Sequence, residues 1–105
     1  MDPSPSDFDP VLLSQARLGV VAVLLARPEV TFPDLKSLLG LTQGNLGAHL
    51  RSLEEAGYVE VEKAFVDRKP RTTCRLTARG RRAFERHVAV LGRLLKDGAV
   101  PVLKG

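Results

Sequence analysis

A chain of 105 residues is long enough for one hydrophobic core and too short for a second, which excludes a multidomain enzyme. Apolar residues make up 44% and charged residues 27%, the balance of a globular protein, and no run nears the roughly 20 apolar residues that span a bilayer, so a membrane protein is not expected. The formal charge of +4 is unevenly spread: in residues 66–96 ten Lys and Arg stand against only Asp67 and Glu85, a local surplus of +8 that suits a surface facing a polyanion.

Residues 1–9 are rich in Pro, Ser and Asp and read as a flexible arm, with neither the basic start nor the apolar stretch of a signal peptide. A cytoplasmic chain is expected. Asp9 followed by Pro10 gives a cap and a first helical residue with no N–H to lose, so a helix should run from Pro10 to about Arg27, stopped by Pro28. From Leu18 to Ala26 that helix is apolar nearly all round, the pattern of a helix held between two layers or in a subunit interface. A short extended piece, Val30 to Phe32, leads into a second helix over Pro33 to Leu39, ended by Gly40. Thr42 then caps a third helix through Ala56, with Leu46, Leu50 and Leu53 on one side. So tight a turn between two helices makes a helix-turn-helix.

From Tyr58 to Val66 the pattern has period two, with Val59, Val61, Lys63 and Phe65 alternating against Tyr58, Glu60, Glu62 and Ala64, which reads as a strand. Arg71 to Leu76 is its expected partner, and Asp67-Arg68-Lys69-Pro70 forms a basic turn between them. Thr77 caps a last helix to about Lys96, whose stripe of Phe84, Val88, Leu91 and Leu95 adjoins a second of Ala83, His87, Val90 and Leu94. Together they give an apolar face about 160° wide, broader than one domain core requires. The expected domain spans 10–97, with a frayed tail over 98–105. The fold class is mainly α with a small β-hairpin, in the order α-β-α-α-β-β-α, the arrangement of a winged helix-turn-helix.

Within that frame, Leu46-Gly47-Ala48-His49-Leu50-Arg51-Ser52-Leu53-Glu54-Glu55-Ala56-Gly57-Tyr58-Val59 resembles the recognition-helix signature of ArsR- and MarR-like winged-helix transcriptional regulators. Arg68-Lys69-Pro70-Arg71-Thr72-Thr73-Cys74-Arg75-Leu76-Thr77-Ala78-Arg79-Gly80 resembles their wing, second strand and start of the last helix, and the likeness covers about residues 10–96. It implies a homodimer on double-stranded DNA, with the helix 42–56 in the major groove and the basic wing on the backbone or in the minor groove. With the leucines inside, a helical wheel sets Gly44, Ala48 and Arg51 opposite and Asn45, Gly47 and Ser52 beside them. Gln43 and Asn45 are two of the chain's three side-chain amides, the groups suited to bidentate bonds with adenine. The small Gly44, Gly47 and Ala48 let the backbone approach a groove closely. Arg51 reads either as a phosphate clamp or as a solvated partner of Glu54 or Glu55, and His49 either as a structural histidine or as a DNA contact. The expected DNA-binding set is Thr42, Gln43, Gly44, Asn45, Ala48, His49, Arg51, Arg68, Lys69, Arg71 and Thr72. The surplus apolar faces supply the expected dimer contacts, Leu18, Val21 and Leu25 on the first helix with His87, Val90 and Leu94 on the last.

Catalysis has no support in the sequence, which has no phosphate loop, no Cys or His cluster for zinc and no nucleophile with an evident base. No cofactor and no metal are expected. Lys36-Ser37 stands where some ArsR relatives carry a cysteine box, and the lone Cys74 reads as a small core residue. A small-molecule effector is left open and unnamed. The competing reading is a winged-helix module that docks on a protein through its apolar helices; a third, binding of structured RNA, rests on charge alone.

Overall fold

A carboxylate and a hydroxyl set the start of the chain's helical part. Asp9 Oδ1 accepts from the Val11 N–H at 3.0 Å, and this caps a 3-10 helix, Pro10–Leu13; Ser14 then caps α1, Gln15–Ala26, through the Arg17 N–H at 3.2 Å. The single helix expected from Pro10 is thus two, because Ser14 supplies a second cap four residues later. The computed structural model describes residues 8–96, so residues 1–7 of the expected arm and the expected tail, 98–105, lie outside the described residues. Phe8 and Asp9, assigned to the arm from sequence, are packed: the Phe8 ring meets His87 edge-on with centroids 6.0 Å apart, and Asp9 Oδ2 accepts a hydrogen bond from the Tyr58 hydroxyl.

β1, Val30–Thr31, is followed by α2, Phe32–Leu39, and α3, Gln43–Glu55. Thr42 caps α3 by accepting from the Asn45 N–H at 3.1 Å. Its far end closes on Gly57, which takes a left-handed φ of 80° so that the Tyr58 N–H can reach the Leu53 carbonyl at 2.9 Å. Leu46, Leu50 and Leu53 are buried, as their spacing requires, and each contributes about 2 kcal/mol by leaving water. α1 packs on α2, α3, the third strand and the last helix, which accounts for its apolar circumference inside one protomer. Val20, Val21 and Leu24 are its buried residues.

β2, Val59–Val66, and β3, Lys69–Leu76, form the hairpin, and β1 pairs antiparallel with β3 through Val30↔Cys74 and Thr31↔Thr73. The sheet therefore has three strands, in the order β1-β3-β2, where the sequence showed a hairpin and a short extended piece. The turn also differs. It contracts from the four residues expected to Asp67 and Arg68, both left-handed at φ 52° and 67°, with Val66 opposite Lys69. That is the geometry of a two-residue hairpin loop with positive φ at both central positions, adopted here without glycine at a cost of about 1 kcal/mol per residue. Pro70 falls in β3 opposite Phe65, on the pair whose backbone groups point away from each other, so its missing N–H costs the ladder nothing.

α4, Ala78–Lys96, begins against the turn that follows α3. The Thr77 N–H donates to the Tyr58 carbonyl at 3.0 Å, the Thr77 hydroxyl donates to the Gly57 carbonyl at 2.6 Å, and Thr77 Oγ1 accepts from the Gly80 N–H at 2.9 Å. The broad apolar face of α4 divides into an inner and an outer part. His87 and Val90 are buried within the protomer, whereas Val88, Leu91 and Leu95 are exposed. Of the six residues expected at a dimer interface, Val21, His87 and Val90 are covered by their own chain, since an inward stripe cannot be told from an outward one by periodicity alone. No helix among the described residues is long and apolar enough to cross a membrane.

Candidate nucleic-acid interface

Residues opposite one another in β2 and β3 share a face, and the hairpin thereby sorts its side chains. Val59, Val61, Lys63 and Phe65 lie on one face with Leu76, Cys74, Thr72 and Pro70; this face starts in the core and continues outward along the wing. Glu60, Glu62, Ala64 and Val66 lie on the other with Arg75, Thr73, Arg71 and Lys69. Between the first face and α3 runs a groove of about 310 Å³, whose walls include Gln43, Gly47, Arg51, Lys63 and Thr72. An adjoining groove joins Gln43 to Pro70, Arg71 and Thr72 and to the start of α2. α3 and the wing are thus two sides of one cleft.

Gln43, Gly44, Asn45, Ala48 and Arg51 are exposed on α3, as are Arg68, Lys69 and Arg71 on the wing. Thr42 has a structural duty, because its hydroxyl is the α3 cap. Thr72 is half-buried in the groove wall. His49 is half-buried on the flank of α3 that faces α1, where Nη1 of Arg17 lies 3.3 Å from its Nδ1. Arg51 forms no ion pair with Glu54 or Glu55; among the described residues the ion pairs are those of Arg75, with Glu62 at 2.7 Å and Glu29 at 3.1 Å. Arg75 therefore belongs to the basic stretch in sequence and not to the free cations of the wing. Lys63, in the groove wall, is a candidate that sequence reasoning passed over. Its signal was present, a lysine in register with Val59 and Val61 on the row that faces α3.

A Cβ added at Gly44 or Gly47 would meet no atom within 4 Å, so packing does not demand glycine at either position. Each costs the helix up to about 1 kcal/mol relative to alanine with no return inside the protomer. Gly44→Ala is accordingly expected to raise stability by up to about 1 kcal/mol in urea unfolding and to weaken duplex binding, since the added methyl stands on the face where the small residues leave room. A gain in stability with unchanged affinity would show that this face meets nothing.

Burial pushes the Cys74 thiol up to about 11, with Glu54 adding to the shift, so it is not a thiolate at neutral pH. The Tyr58 hydroxyl is raised by burial first, then by its bond to Asp9 and that residue's charge, against the opposing pull of Arg79 and Arg86. No group of three or more His, Cys, Asp or Glu side chains among the described residues could hold a metal ion.

The model of a winged helix DNA-binding domain family matches residues 16–95. The chain belongs to this winged-helix family. Its relatives include an uncharacterized protein of Methanocaldococcus jannaschii, 36% identical over 84 residues that cover 80% of this chain and 91% of that one. Among solved structures, a transcriptional regulator homologue from Pyrococcus horikoshii superposes with a TM-score of 0.79 at 33% identity, covering 86% of this chain and 89% of that one. The transcriptional repressor CouR, solved bound to a 23-mer DNA duplex, superposes with a TM-score of 0.71 at 26% identity, over 90% of this chain and 66% of its own. The protein is a winged-helix DNA-binding regulator of MarR-like fold, with α3 the second helix of the helix-turn-helix and the β2–β3 hairpin the wing.

Proposed function

We propose that this winged-helix protein acts in the cytoplasm as a homodimeric, sequence-specific transcriptional regulator, reading the major groove with α3 and holding the backbone or minor groove with its wing. The observation that carries the reading is the cleft itself: the amides of Gln43 and Asn45 stand on the first turn of α3, and the unpaired cations Arg51, Lys63, Arg68, Lys69 and Arg71 sit on α3 and the wing to either side. Side-chain amides suit base edges, whereas cations suit phosphates. CouR, of like fold, was solved on duplex DNA, which supports duplex DNA as the partner.

The dimer rests on α4. Val88, Leu91 and Leu95 recur at helical spacing and are 47%, 37% and 51% exposed, an apolar stripe that a second copy would cover by two-fold symmetry. A protein-docking module would use the same stripe and would have no need of the cations in the cleft. Selection of bound sequences from a random duplex pool, with sedimentation of the free protein, tests both halves. The expected outcome is an enriched sequence with two-fold symmetry, altered in preference by Asn45→Ala, and a dimer at micromolar concentration that Leu91→Glu converts to monomer. No enrichment would overturn sequence-specific binding; a wild-type monomer would overturn the dimer.

A further inference from the structure

Arg17 lies near the start of α1, outside both the helix pair and the wing, yet its guanidinium touches the recognition helix. Nε donates to the Val11 carbonyl at 2.6 Å, which anchors the group, and Nη1 stands 3.3 Å from His49 Nδ1. A guanidinium has donors only and stays protonated in proteins. Nδ1 of His49 must therefore be the acceptor, which leaves the ring neutral with its one proton on Nε2. Because Arg17 is itself held by Val11, the plane of the imidazole is held as well as its tautomer.

Nε2 has no hydrogen-bond partner among the described residues, and it is not sealed from solvent: the one fully buried side-chain nitrogen or oxygen without a partner there is Nδ1 of His87. On the same flank of α3, the Ser52 hydroxyl already donates to the Ala48 carbonyl at 3.3 Å. The side-chain donors left facing outward on this flank are the Asn45 amide and His49 Nε2–H. A phosphate oxygen carries only lone pairs, so the opposite tautomer would turn a lone pair of the ring toward it.

We propose that Arg17 is a positioning residue for DNA recognition, fixing His49 as a neutral, outward-facing Nε2–H donor to an acceptor atom of the duplex. The proposal rests on the placement of α3 in the groove argued above. His49 stands a turn beyond Asn45 on the side of the helix, whereas base edges are reached mainly from a recognition helix's first turn, and this favours a phosphate oxygen as the acceptor.

Nitrogen NMR of the imidazoles in the free protein, combined with affinity for one duplex recovered by selection, tests the proposal. Wild-type His49 is expected as the Nε2–H tautomer. Arg17→Met, which keeps the stem and loses the donors, moves the ring to a tautomer mixture, and Arg17→Lys, which also only donates, restores it. Affinity falls about tenfold in Arg17→Met and changes less than about twofold when His49→Ala is already present, because the effect passes through the ring. Methylphosphonate at the contacted phosphate should erase the difference between wild type and Arg17→Met; a purine lacking its N7 acceptor doing so instead would keep the donor and move its partner to a base edge. An Nδ1–H ring in the wild type, or an equal loss with and without His49, overturns the proposal. Should Arg17→Met fail to fold, Arg17→Leu, which also lacks a donor, carries the same cycle. A wild type that binds no duplex removes the DNA half whatever the spectra show, whereas binding with no effect of Arg17 removes only this assignment.

Discussion

Gly80→Ala is expected to destabilise the protein by about 3 kcal/mol, lowering its melting temperature by roughly 15 °C. A Cβ at this position would lie 2.3 Å from the Tyr58 carbonyl oxygen and 2.7 Å from Leu76 Cδ1. The leucine methyl can shift, but the backbone oxygen cannot easily give way. The Tyr58 carbonyl accepts from Thr77, whose own hydroxyl ties Gly57 to the α4 cap, so a shift there disturbs the junction where α3, β2 and α4 meet. Since a domain of this size is stable by only about 5–15 kcal/mol, the loss is a large share of the total. Gly92→Ala makes the control on the same helix: its Cβ would meet nothing within 4 Å, and it should stabilise by up to about 1 kcal/mol. Urea unfolding of the two variants should move the midpoint in opposite directions; a destabilisation of Gly80→Ala below about 1 kcal/mol would mean that the close approach to Tyr58 is not a constraint.

Removal of the wing cations should have the largest effect on binding. Arg68, Lys69 and Arg71 are exposed and take part in none of the ion pairs among the described residues, so all three are free for phosphates. The triple replacement by alanine is expected to weaken binding to every duplex by roughly a hundredfold near 0.15 M salt, and to lower the slope of log affinity against log salt by about 0.9 for each phosphate no longer neutralised. Arg75→Ala is the contrast within the same basic stretch. Lys69 and Arg71 share its face of the sheet, but the Arg75 guanidinium alone is engaged by Glu29 and Glu62, so its loss should leave affinity and salt slope unchanged. An equal effect of Arg75 and the wing residues would mean that only net charge matters and that the ion pairs with Glu29 and Glu62 do not withhold Arg75 from the duplex.

The recognition helix was legible in the sequence because its signals are local: a threonine cap, three leucines at helical spacing and a glycine at the end. The helix-turn-helix and the hairpin followed from equally local patterns. What escaped was set by distance. β1 was expected as a short extended piece, but its pairing with β3, more than forty positions away, was not, because no local pattern speaks for it. The turn of the wing was read as four residues around Pro70, yet Pro70 fits the strand because of where the register places it. Arg75 looked like one cation among ten until Glu29 and Glu62 were brought beside it. Lys63 was hidden in an alternation read for burial, although the same alternation turns outward beyond the core and aims this side chain at α3. His49 was ambiguous because its partner, Arg17, lies 32 residues upstream. The apolar width of α4 was correctly seen, but which stripe faces outward depends on what the rest of the chain covers.

The central claim is that α3 and the wing form one DNA-reading cleft, and backbone amide NMR during titration with the selected duplex tests it most directly. The expected result is shifts concentrated at residues 43–52 and 63–72, with the exposed stripe of α4 from Val88 to Leu95 unchanged. Shifts confined to α4, with the cleft unmoved, would contradict it.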